Sequence, residues 1–188
     1  MKATASVLIL AAALVAAACG EGRAIFNVDV YSFMQGSGND TLRYPPLPLD
    51  TIPPGSPPIT VSTDSVKVVL PGVFGSSVVD TAHVVGILDL DNVRGTGNIT
   101  VEVFLSADST TVFSGSPAFS FGGAVTPGTV TTDTVDVDLL GTFNSLFTGS
   151  AVWLAFRANV ANTGADGMQG TIRLRALDLR IVLQDKIF

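Results

Sequence analysis

Apolar and polar residues alternate with a period of two along most of this chain. Phe26, Val28 and Val30 alternate with Asn27, Asp29 and Tyr31, as in a strand with one buried face, and they predict a first strand over 25–34. Gly36 to Asp40 breaks the pattern. Val66, Val68 and Leu70 alternate next, and residues 78–90 form a long run that reads as buried in its second half. Ile99, Val101, Val103 and Leu105 make another strand. A weaker one lies near Ala118–Phe121, and another over 129–139 with Val130, Val135 and Val137 as its apolar positions. Residues 150–161 place Val152, Leu154, Phe156, Ala158 and Val160 on one face. The last run, 171–184, is apolar at Ile172, Leu174 and Ala176, then changes parity to Leu177, Leu179, Ile181 and Leu183. Strand side chains alternate strictly, so that slip predicts a β-bulge near Ala176–Leu177.

Two segments depart from the alternation. Leu139, Leu140, Phe143, Leu146 and Phe147 fall at helical spacing, which predicts a short helix over 139–147 crossing one end of the fold. Residues 44–58 hold seven of the ten prolines. Proline donates no ladder hydrogen bond, so this stretch reads as an extended, stiff connector. Short strands separated by Gly, Pro and Asn turns, with no solenoid-type repeat, predict an all-β domain over 25–188: a single antiparallel β-sandwich, jelly-roll-like, with its main body at 59–188.

Composition supports this reading. Val and Thr are abundant and favour sheet, while the acids are fourteen Asp against two Glu, and Asp suits turns better than helix. The net charge of −6 argues against nucleic acid, which needs a basic patch to release counterions; the one basic cluster, Arg173, Arg175 and Arg180, is interrupted by Asp178.

The chain opens differently. Met1-Lys2 is a positive start, Val7 to Val15 is an apolar stretch of signal length, and Ala16-Ala17-Ala18 supplies small residues directly before Cys19, the one cysteine present. Residues 1–21 resemble the lipobox signal of bacterial lipoproteins, with Ala at the −3 position where Leu is more usual. The resemblance implies a signal peptide over 1–18, diacylglycerol on the Cys19 sulfur, acylation (palmitate or a similar chain) of its new amine, and a lipidated tether over 19–24. Gly20 stands where an Asp retains many such proteins in the inner membrane, which implies the outer membrane of a diderm host. The apolar run 3–18 is short for a spanning helix, and two or three acyl chains anchor a protein stably. With no second cysteine, no disulfide joins the mature fold.

Candidate chemistry is sparse. His83, the one histidine, shares strand parity with Val79, Thr81, Val85 and Ile87, so it is expected to point toward the core or its edge as a packed, hydrogen-bonded side chain. Ser120 in Ala118–Gly122 only loosely echoes a nucleophile elbow, and His83 precedes it where a hydrolase histidine follows. Gly36–Leu42 is similar to one copy of the calcium-binding nonapeptide repeat of RTX proteins. That family binds ions between successive turns, so a single copy implies a Gly-rich turn instead. Asp89, Asp91, Asp136 and Asp138 are the calcium candidates, Asp133 lying near the second pair, because hard cations take carboxylate oxygens. The competing reading is solvated carboxylates that protect edge strands. Trp153, opposite the apolar face of its strand, is the candidate for stacking on a sugar or a protein partner.

These readings imply a lipid-anchored cell-envelope β-sandwich with a non-enzymatic binding or structural role and no required cofactor. Its partners would be the membrane and an envelope protein, a glycan or a second copy. The alternatives are a surface polymer subunit exchanging strand 25–34, a carbohydrate-binding module built on Trp153, and a carboxylate-based glycoside hydrolase.

Overall fold

The structure, a computed structural model, describes residues 23–70, 77–139 and 141–185; the leader, Cys19 and Leu140 lie outside them. The described residues form β1 (Arg23–Asp29), α1 (Val30–Gly36), β2 (Thr41–Tyr44), β3 (Ile59–Ser62), β4 (Val66–Val69), β5 (Ser77–Arg94), β6 (Gly97–Ser106), β7 (Phe119–Val125), β8 (Thr129–Asp138), β9 (Ala151–Asn162) and β10 (Gln169–Asp185). Two 3₁₀ segments, Ser109–Ser114 and Gly141–Thr148, complete them.

The strands form two antiparallel sheets. In the first, β1 and β2 lie end to end along one edge of β10, followed by β5 and then β8. In the second, β3 and β4 lie end to end along β9, followed by β6 and then β7. If each end-to-end pair is counted as one broken strand, the order is 1-8-3-6 facing 2-7-4-5. Successive strands alternate between layers except β6 and β7, which pair as neighbours in the second sheet; this is the jelly-roll winding of a β-sandwich. One apolar cluster fills the space between the sheets, with Leu90, Ile99, Val101, Leu177 and Ile181 among its fully buried members.

Most of the alternation is realised as expected. Val152, Leu154, Phe156, Ala158 and Val160 are all buried. The register of β10 against β5 shifts between Leu174 and Ala176, leaving Arg175 without a cross-strand partner; this bulge turns Leu177, Leu179, Ile181 and Leu183 inward. The 3₁₀ segment Gly141–Thr148 crosses one end of the sandwich and drives Phe147 into the core.

Three expectations need correction. The first strand does not reach residue 34: the Asp29 side chain accepts the Ser32 backbone N–H at 3.1 Å, capping α1. Val30 and Met34, four residues apart on one helical face, are then buried. The 78–90 run is not buried on both faces, because Val85 and Ile87 point to solvent. The Pro-rich stretch is more than a connector. Ile52, at its middle, is buried and exchanges backbone hydrogen bonds with Met168, each 2.9 Å, and Asn162 Nδ2 donates to the Ile52 carbonyl at 2.8 Å.

Candidate functional site

Chemistry-bearing side chains collect on the two outer faces of the sandwich. On the first sheet, His83 points outward, against the parity expected of it. A second register shift in the β10–β5 pairing, between Val182 and Leu183, separates Val79 from the positions that follow. Beyond it Ala82 and Val84 turn inward and His83 turns out. There it meets β8: Nε2 lies 3.1 Å from Asp136 Oδ1 and Nδ1 lies 2.8 Å from Asp138 Oδ1. The cross-strand pair His83↔Asp138 thus clamps edge strand β8 to β5.

The calcium candidates share this outer face without converging. Asp89 accepts the Thr132 hydroxyl at 2.8 Å and stands 3.7 Å from Arg175. It pairs with Thr132 while Asp136 pairs with Val85, a separation of about 14 Å along and across the ladder. Asp91 lies two residues beyond Asp89, and Asp133 leaves the group altogether. From the inner side of β8, Asp133 Oδ2 accepts the Gly122 N–H of β7 at 2.7 Å, tying the two sheets together. Among the described residues no group of three or more His, Cys, Asp or Glu side chains is placed to hold a metal ion.

The outer face of the second sheet carries a half-buried network that sequence reading missed. Arg157 Nε donates to Glu102 Oε2 at 2.9 Å, and Asn159 Nδ2 donates to the same oxygen at 3.3 Å. Thr60 Oγ1 donates to Asn159 Oδ1 at 2.9 Å. The Arg157 guanidinium lies 4.4 Å from the centre of the Phe104 ring, a cation–π contact. Phe104 and Ala155 face outward yet are fully buried, because the 3₁₀ segment Ser109–Ser114 lays Val112 and Phe113 over them. Trp153 is half-buried beside Lys67 and Ser106. The covered Phe104–Ala155 pair lies between it and the Arg157 row, so the indole and the polar row do not form one continuous surface. Ser120 is exposed on β7, across the β6 ladder from Glu102. It lies on the opposite outer face from His83, with the core between them.

The end of the sandwich bearing the Pro-rich stretch holds a buried polar network. Tyr44 is fully buried and donates to Asn92 Oδ1 at 3.2 Å, and Asn92 Nδ2 donates to the Gly95 carbonyl at 2.6 Å. Burial, reinforced by the nearby Asp91 carboxylate, pushes the Tyr44 phenol far above its ordinary value. A side chain at Gly170 would collide with the Tyr44 hydroxyl and the Asp91 carbonyl. Beside this network, an open groove of about 490 Å³ runs between the edges of β2 and β3, with Arg43, Leu47, Thr60 and Ser62 among its walls.

Neither Arg157–Glu102 nor His83–Asp138 was legible in advance, because each joins residues 55 apart. Only strand register brings them together.

No protein-family model matches the chain, and no curated protein matches it in sequence. Among solved structures it is similar to capsid protein chains of infectious bursal disease virus. The match to the Gx strain has a TM-score of 0.45 at 9% identity, covering 89% of this chain and 38% of that one. The match to the T13 viral particle has a TM-score of 0.44 at 11% identity, covering 88% and 36%. The chain thus spans little more than a third of the length of those proteins.

Proposed function

We propose that this protein is a lipoprotein of the bacterial cell envelope in which Cys19 carries the anchor and the β-sandwich serves a binding or structural role. One observation carries the reading: the lone cysteine follows an apolar segment and Ala16-Ala17-Ala18, and β1 begins only four residues later, at Arg23. The polar groups of the outer faces support a structural role over a catalytic one. His83 is engaged by Asp136 and Asp138, Glu102 by Arg157 and Asn159, and Asp89 by Thr132 and Arg175. Each set joins neighbouring strands.

The test is the mass of the mature N-terminus from membranes of a bacterial host. The expected species starts at Cys19 and carries a diacylglyceryl thioether. Cys19→Ala is expected to remove the lipid and leave the leader uncleaved by the lipoprotein signal peptidase. A wild-type chain bearing no glyceride overturns the reading.

A second reading, polymerisation by exchange of β1 between copies, is favoured by how little that strand buries. Of its seven residues only Val28 is buried and Phe26 half-buried, so backbone hydrogen bonds to β10 supply most of its attachment. In detergent, size-exclusion chromatography of full-length protein is expected to give assemblies if exchange operates. A monomer with Arg23–Asp29 resistant to proteolysis rules it out.

A further inference from the structure

We infer that the end of the sandwich where β1 begins is seated on the lipid surface itself, beyond being tethered to it. Ile25, Val182 and Val78 would meet the bilayer on one flank, Val69 on the other, and the uncharged segment from Gly141 to Ser150 would lie between them. The inference rests on lipidation at Cys19.

Tether length is the first argument. Three residues separate Cys19 from Arg23, and four chain steps span at most about 14 Å. Arg23 is held in β1, paired with Gln184 near the end of β10, so this end of the body must stay near the lipid headgroups. The opposite end is remote: β10 runs 17 residues from Gln169 to Asp185, about 55 Å if fully extended.

Surface chemistry is the second. No charged residue occurs from Leu139 to Phe156. The exposed positions of the 3₁₀ segment and its exit are Gly141, Thr142, Ser145, Thr148, Gly149 and Ser150. Hydroxyls can bond to lipid phosphate and ester oxygens without a charge to desolvate. Flanking them are large apolar residues that stay substantially exposed: Ile25 is 54% exposed, Val78 42% and Val69 58%. Val182 sits directly between Ile25 and Thr81 in the ladder, and Val78 stands opposite Gln184 two positions nearer the end of β10. Of the charges at this end, Asp185 stands opposite Ser77 at the tip of the ladder, and two others bear on the position. Asp80 is neutralised by Arg23 at 3.4 Å, and Lys67 is exposed on β4. Asp138 ends β8 three residues before Gly141, where His83 Nδ1 engages it at 2.8 Å.

Because Cys19 is the one cysteine and its sulfur would be alkylated, an introduced cysteine becomes the single free thiol. Full-length Val78→Cys, Thr148→Cys and Leu47→Cys proteins, labelled with an environment-sensitive fluorophore, would be reconstituted into phosphatidylcholine–phosphatidylglycerol vesicles containing nitroxide-labelled lipid. Labels at 78 and 148 are expected to be quenched at least about twofold more than the label at 47, since interfacial groups bury only several ångströms deep. Two near-end positions guard against one that perturbs folding. Lipidated protein that floats with the vesicles but shows equal quenching at all three positions overturns the seating and leaves the anchor standing. Protein whose Cys19 carries no glyceride removes both.

Discussion

The two ends of the sandwich are closed by different physics. At the Pro-rich end, directed hydrogen bonds hold every loop: Tyr44 to Asn92, Asn92 to Gly95, and Asn162 to both Ile52 and Asp166. At the other end an apolar plug does the work. Phe147 fills the opening beneath Gly141–Thr148, and the outside is hydroxyl and aliphatic. Directed bonds fix loop positions uniquely, whereas an apolar plug needs only shape and volume. The first kind of end holds its exposed Leu47 and Leu49 in a defined place; the second suits apposition to a surface with no fixed pattern of its own.

The contrast can be broken most severely at the plug. Phe147→Ala is expected to lower unfolding free energy by about 3–5 kcal/mol, since a buried phenyl leaves a large cavity; denaturant titration measures it, and a loss under about 1 kcal/mol would mean the end cap is dispensable.

At the polar end the expected effect is smaller and has a pH signature. Tyr44→Phe should cost about 1–2 kcal/mol at neutral pH by leaving Asn92 Oδ1 without that donor. The wild-type phenol is raised above its ordinary 10.0, so folding favours its protonated form. That contribution is whole below pH 10 and is lost above it at up to about 1.4 kcal/mol per pH unit. Stability curves from pH 9 to 12 should therefore flatten in Tyr44→Phe, and identical alkaline limbs would contradict the buried phenol.

Between the ends, Asp29→Ala should cost about 1 kcal/mol, the usual worth of a helix N-cap. The Ser32 hydroxyl and backbone N–H hold the Asp29 carboxyl below its ordinary 3.8. Its contribution is present above that value and lost as pH falls through the lower folded one, so the gap between wild type and variant should close on acidification. A gap that persists in strong acid would assign the cost to something other than the cap.

Legibility followed the range of the interaction. The β9 face, the bulge in β10 and the short helical cap near 139–147 were readable because each is a property of a few consecutive residues. The parity of His83 was not, because the shift that turns it outward is a mismatch between β5 and β10, elements about 100 residues apart. The α1 helix hid behind an alternation that Phe26, Val28 and Val30 continue by coincidence, and the Asp29 cap ended the strand. Trp153 was read correctly as facing away from the core, but the segment Ser109–Ser114 that separates it from the polar row carries no strong local signal.

By itself the sequence determined the all-β class, the inward face of most strands and the placing of Cys19 directly before the first strand, since burial pattern and local chemistry travel with each residue. The tertiary structure alone decided which side chains meet. A strand's neighbours are set by topology and register, and a single extra residue in a ladder exchanges inside for outside. That is why His83 clamps two aspartates on the surface when its own segment would have sent it toward the core.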